Sequence, residues 1–148
     1  MKSNFTDKQI QILEVAETLF ADKGFDGTSI RDISKIAKIN IAMISYYFGS
    51  KERLLESLLF YRTSDLKNQL DHLIQEELEP IDKINKLIEL YINRINKNKG
   101  IYRILHFEFN SEKREKSLGT FSELKKGNLK TLETIIAEGQ KKGVFRKD

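Results

Sequence analysis

The sequence has no cysteine, no tryptophan and a single proline, Pro80, in 148 residues. Without thiols it has neither a disulfide framework nor a thiolate metal site, and nothing argues for an oxidising compartment, so a cytoplasmic setting is expected. No apolar run reaches the ~20 residues that a bilayer requires. The N-terminal stretch MKSNFTDKQIQILEVAETLF breaks its apolar positions with charges, unlike a signal peptide. A soluble protein with no membrane partner is expected. The two histidines, His72 and His106, have no ligand cluster beside them, so no metal is expected. No nucleophile-and-base pair and no phosphate-cradling glycine loop suggests an enzyme or a cofactor.

Charge is what the sequence has in quantity. Asp, Glu, Lys and Arg make up 32% of it and alternate in sign along most segments, which with so little proline reads as helices with solvated faces. The fold class expected is all-α. The net charge of +4 is a modest excess, so its placement matters more than its size. Residues 1–60 hold eight basic and eight acidic side chains, whereas within 28–53 Arg31, Lys35, Lys38, Lys51 and Arg53 face only Asp32 and Glu52, a local net of +3. That segment can meet an anionic partner.

Hydrophobic spacing and stop signals divide the chain into helices. Thr6 or Asp7 caps a first helix over 7–23, with Ile12, Val15, Ala16, Leu19 and Phe20 on one face and Gly24 as a left-handed stop. Asp26-Gly27 turns the chain. Thr28 is the expected cap of a short second helix carrying Ile30, Ile33, Ile36 and Ala37. A three-residue connection, 38–40, leads to a third helix that Asn40 can cap, with Ile44 and Phe48 four apart on one face and Gly49 at its end. From Ser50 one long helix is expected to run to the acidic break at 76–80, read as a hinge. A fifth helix follows Pro80 and is closed by the polar run 96–100. A sixth covers 101–110, residues 111–120 read as a loop, and a seventh helix covers 121–139.

Two short helices joined by three residues and packed on a first helix make a helix-turn-helix, whose second helix can enter a major groove. In NIAMISYYFGSKERLL, residues 40–55, Ile44 and Phe48 take the inward face of that helix. Met43, Tyr46 and Tyr47 read by spacing equally as extra core or as contact surface. The hydroxyls at 45, 46 and 47 can donate to phosphate or base edges, and Lys51 sets a cation beside the free N–H groups of the next helix start.

GFDGTSIRDISKIAKINIAMISYYFGSKERLL resembles the N-terminal signature of the TetR family of bacterial transcriptional repressors. Gly24-Phe25, Thr28, Ile33, Ala37, Ile39, Tyr47-Phe48, Ser50-Lys51-Glu52 and Leu54 fall in register, over about residues 10–59. The resemblance implies a DNA-binding head, residues 1–50, and a helical ligand-binding and dimerisation body, residues 51–148, incomplete at its C-terminal end because relatives continue for further helices. It implies a sequence-specific regulator, most simply a repressor released from its double-stranded operator by a small hydrophobic inducer, acting as a homodimer and without a cofactor.

Carried over by position, Thr28 caps the second helix and touches phosphate, in a DNA-binding set that includes Ser29 and Arg31. Asn40 caps the recognition helix. Ile41, Ala42, Met43 and Tyr46 read bases, and Tyr47 and Lys51 grip phosphate. Three positions depart from the pattern: Lys38 replaces the turn glycine, Met43 a small polar residue, and Ser45 a phosphate-binding tyrosine. Candidate liners of an inducer cavity are Tyr61, Tyr91, Tyr102, His106, Phe107 and Phe109, for which plain core packing is the competing reading. The rival functional classes are a helical protein-interaction module without DNA or ligand binding, and a small helical enzyme.

Overall fold

Each short helix of the N-terminal region is begun and ended by local chemistry. In α1, Asp7–Lys23, Thr6 accepts from Gln9 N–H while the Gln9 side chain accepts from Thr6 N–H, and Gly24 at φ 77° ends the helix. Helix α2, Ile30–Ala37, is capped by Ser29, not by Thr28: Ser29 Oγ accepts from Asp32 N–H at 3.1 Å, and Asp32 Oδ2 accepts from Ser29 N–H at 3.0 Å. Lys38 then holds φ 54° and ψ 39°, the left-handed conformation that glycine adopts more easily. Helix α3, Ile41–Phe48, begins where Asn40 Oδ1 accepts from Ala42 N–H at 2.9 Å, and it stops at Gly49, φ 80°.

The computed structural model describes residues 5–109 and 119–147, and among these there are eight α-helices and no strand. The long helix expected from Ser50 is two: α4, Lys51–Thr63, capped by Ser50, and α5, Leu66–Gln75. The cause lies elsewhere in the chain. The Arg62 carbonyl, which a continuous helix would pair with Leu66 N–H, accepts from Arg94 Nη2 at 2.9 Å, and Arg94 also grips both oxygens of Asp65 at 3.0 Å.

Helix α6, Pro80–Lys97, starts with proline at its first position and is separated from α7, Lys99–Phe109, by Asn98 alone. Helix α8 is Gly119–Lys141, so residues 119–120, expected in a loop, are helical, and the rest of that loop lies outside the described residues.

Apolar packing forms two clusters. The first joins α1 to α4 with Ile101, Ile104 and Leu105 of α7, and holds Ile12, Leu13, Phe20, Ile33, Ile44 and Leu54 out of solvent. The second joins α5, α6 and α8 through Leu66, Leu70, Leu73, Leu87 and Ile135. Burying each such leucine or isoleucine side chain contributes about 1.5–3 kcal/mol, so α3 is anchored mainly by Ile44 and Phe48 on the first cluster.

Candidate functional site

Anchoring α3 by Ile44 and Phe48 turns the rest of it outward. Ile44 is 1% exposed and Tyr46 85% exposed, although they lie two residues apart, because at 100° per residue they occupy opposite sides of the helix. Asn40, Ile41, Ala42, Met43 and Ser45 are also exposed. Tyr47 is different: it is half-buried against the first cluster, its ring 6.3 Å from Phe48 and 5.6 Å from Tyr46. The outward face is therefore Ile41, Ala42, Met43, Ser45 and Tyr46, with Tyr47 at its edge.

The flanks differ from the expectation at two residues. Thr28 is buried, its hydroxyl within hydrogen-bond distance of the Gly24 carbonyl at 2.8 Å and the Leu19 carbonyl at 3.2 Å, so its side chain ties α1 to the turn and has no surface for phosphate. Lys51 turns inward as well. Its ammonium donates to the carbonyls of Phe25 at 2.8 Å and Thr28 at 2.9 Å and lies 4.3 Å from the centre of the Phe25 ring. Two of its three donors are thereby engaged in holding the loop before α2.

Ser29 and Arg31 are exposed at the start of α2, as are Lys35 and Lys38 towards its end. Arg53, counted in the basic segment 28–53 but not placed in the DNA-binding set, is exposed on the first turn of α4. A Cβ built on Gly49 would lie 3.5 Å from Arg53 Cδ and 3.7 Å from Nη1, so its guanidinium sits at the α3–α4 turn. The signal was present in its spacing: two residues after Lys51 on a helix, it takes a different face. Hydrogen bonds from the Ser29 hydroxyl and N–H hold the Asp32 carboxyl below the ordinary aspartate range. Asp32 thus stays ionised and committed to its cap.

Five of the six body candidates have described side chains, and these lie in different surroundings. Tyr61 is half-buried with its ring 6.0 Å from Phe5, edge to face, and the Arg62 guanidinium lies 4.9 Å from the ring centre. Tyr102 packs on the first cluster and Tyr91 on the second. Burial, with a smaller contribution from Tyr102, pushes the Tyr91 phenol above its ordinary range. His106 and Phe107 face solvent, contrary to the expectation of a lined cavity, because α7 spends its inward face on Ile101, Ile104 and Leu105. The Phe109 side chain lies outside the described residues. An open groove of about 540 Å³ runs beside Gln75, Glu77, Leu78, Lys83 and Lys142, and none of the five candidates with described side chains lines it. Among the described residues no three His, Cys, Asp or Glu side chains converge on a metal-sized site.

Residues 12–58 match the family described as bacterial regulatory proteins, tetR family, and residues 61–148 match the YsiA-like protein C-terminal region. The chain belongs to the TetR family. The HTH-type transcriptional repressor NicS of Pseudomonas putida is 33% identical over 147 residues, covering 93% of this chain and 65% of NicS. The probable HTH-type transcriptional regulator YttP of Bacillus subtilis is 51% identical over 59 residues, 40% of this chain and 27% of YttP. The chain thus spans less than two thirds of either TetR relative's length. The crystal structure of HlyIIR, a hemolysin II transcriptional regulator, superimposes with a TM-score of 0.79 at 30% identity, covering 95% of this chain and 77% of that one. The TetR fold therefore extends over both halves of the chain.

Proposed function

We propose that the chain acts as a sequence-specific DNA-binding regulator of transcription, a repressor that a small-molecule inducer releases from its operator. The observation that carries this is the outward face of α3, where Tyr46 is 85% exposed beside exposed Met43 and Ile41 on a helix fixed by Ile44 and Phe48. A helix held by one face and bare on the other fits a major groove, where Tyr46 and Met43 meet base edges and Ser45 and Tyr47 lie nearer the backbone. Ser29 and Arg31 on one flank and Arg53 on the other supply phosphate contacts. Lys51 acts chiefly as a clamp on the loop carrying Thr28 and Ser29, which sets the α2 flank. That NicS is itself an HTH-type transcriptional repressor supports the repressor reading.

One recognition helix binds weakly, so the chain works as a homodimer whose two α3 helices reach half-sites about 34–36 Å apart or a multiple of it. Residues 1–50 form the DNA-binding part and 51–148 the regulatory part. Tyr102, half-buried on the first cluster, and Tyr91, half-buried on the second, lie close enough to influence each other and are the side chains assigned to sense an inducer.

Selection of bound sequences from a random duplex pool, followed by salt titration, tests the reading. A recovered consensus whose binding weakens steeply with salt is expected, with Arg53→Gln lowering the log–log salt slope by about 1. Salt-insensitive or absent DNA binding would favour the helical protein-interaction module instead.

A further inference from the structure

Glu17 is a carboxylate in an apolar place. It lies on the face of α1 that buries Leu13, Ala16 and Phe20, and it is 8% exposed. A buried carboxylate destabilises a fold unless it is paired and hydrogen-bonded. Its partner is Arg62 in the last turn of α4, whose Nε donates to Glu17 Oε2 at 2.7 Å and whose Nη2 lies 2.6 Å from the same oxygen. The rest of the carboxylate presses on α7, since a Cβ added at Gly100 would come within 2.9 Å of Oε1 and 3.1 Å of Cγ. Gly100 thus lets the start of α7 lie against the Glu17 side chain, which a Cβ at this position would force to shift.

The same Arg62 is held from the opposite side. Its carbonyl accepts from Arg94, which is buried on α6 and also binds Asp65 and Gln69. One contiguous set of contacts therefore runs from α6 through the end of α4 to α1 and the start of α7. Apolar replacement of a buried ion pair is often neutral or even stabilising, so strength alone does not account for the pair. What the ion pair adds is direction: a hydrogen-bonded pair is satisfied at one mutual angle, whereas apolar surfaces tolerate sliding.

We propose that Glu17, Arg62 and Gly100 are positioning residues that fix the angle of α1–α3 relative to α6 and α7, and so set the separation at which the α3 helices of two copies meet successive half-sites. The proposal rests on the DNA-binding reading and goes beyond it, for none of the three residues lies on α3 or among its flanking cations. The test uses the full chain and the duplex recovered from the random pool, with one or two base pairs inserted between its half-sites. Each insertion turns one half-site by roughly 35° relative to the other.

Wild type is expected to lose affinity steeply with insertion. Arg62→Gln and Gly100→Ala are expected to keep the same base preferences while the ratio of affinities between native and expanded spacing falls about fivefold or more. Circular dichroism melting establishes that each variant is folded; should Arg62→Gln unfold, Arg62→Lys, which keeps the charge but not the two-donor geometry, takes its place. Affinity falling by one common factor at every spacing, or an unchanged ratio in a folded variant, overturns the proposal and leaves these residues as ordinary core contacts. Wild type that binds the duplex without regard to spacing overturns it too while the DNA-binding reading stands. If wild type binds no duplex, the reading itself is lost.

Discussion

Tyr46 and Tyr47 are neighbours in sequence and do different work in the fold. Tyr46 is 85% exposed, so truncating it removes almost no packing, while Tyr47 is half-buried against the first cluster. Tyr46→Ala is therefore expected to leave stability within about 0.5 kcal/mol of wild type and yet to relax base preference, costing about 1–3 kcal/mol on the preferred duplex and little on others. Tyr47→Ala is expected to lower stability by about 1–3 kcal/mol, read from urea midpoints. Equal stability losses in the two variants would show that α3 is not anchored as described. The inward pair Ile44 and Phe48 was legible in the sequence because four-residue spacing is itself the signal. The role of Tyr47 was not, since three residues from Ile44 is a boundary position on a helix. Thr28 and Ser29 show a similar limit: both are hydroxyl residues at a plausible cap, and only the burial of Thr28 against the Leu19 and Gly24 carbonyls leaves the cap to Ser29.

Helix ends were legible wherever the signal sat next to the boundary itself. Gly24, Gly49, Asn40, Ser50 and Pro80 each act within a residue or two of the boundary they mark. The α4–α5 break was invisible because leucines continue in helical register across it and neither glycine nor proline is present. Its cause, Arg94, lies more than one helix away, and a long-range hydrogen bond to the Arg62 carbonyl leaves no local trace. Lys38 is the converse case, a local conflict visible from sequence and met in the structure. It holds φ 54° at the turn between α2 and α3, with Ile39 N–H bonding Ser34 O at 3.2 Å and the Ser34 hydroxyl bonding Ile39 O at 2.6 Å. Those bonds over-determine the turn, so the strain is borne there without being released. Lys38→Gly is expected to raise stability by about 1 kcal/mol, the left-handed penalty less the greater flexibility of glycine in the unfolded chain. A drop in the urea midpoint for this variant would mean that the lysine side chain stabilises the turn by more than its backbone costs.

At the scale of the whole molecule, apolar packing divides into two clusters, and polar contacts fasten the second cluster's helices to one another. Lys83 on α6 is buried and donates to the Ile74 carbonyl of α5 at 2.9 Å and to Glu138 of α8 at 2.8 Å, so one ammonium ties three helices. The Lys83 hydrogen bond is the largest influence holding the Glu138 carboxyl below the ordinary glutamate value of 4.5, with Lys142 assisting. Glu76 is lowered in the same way by Lys86. A carboxylate whose folded-state pKa lies below its unfolded one binds fewer protons when folded. Its stabilising contribution is present above the unfolded value and is lost as pH falls through the folded one. The urea midpoint should therefore be flat from about pH 7 to pH 5 and decline below the ordinary glutamate value. Glu138→Gln keeps the shape and an acceptor oxygen but not the charge, so it should be less stable than wild type at about pH 7, with a narrower gap at about pH 3. The gap is expected to be small, because the Glu138 side chain is 30% exposed and its charge is partly screened. A gap that stays constant between those two pH values would mean that Glu138 acts through packing alone, and that α6 and α8 are held together by Leu87 and Ile135 without help from the ion pair.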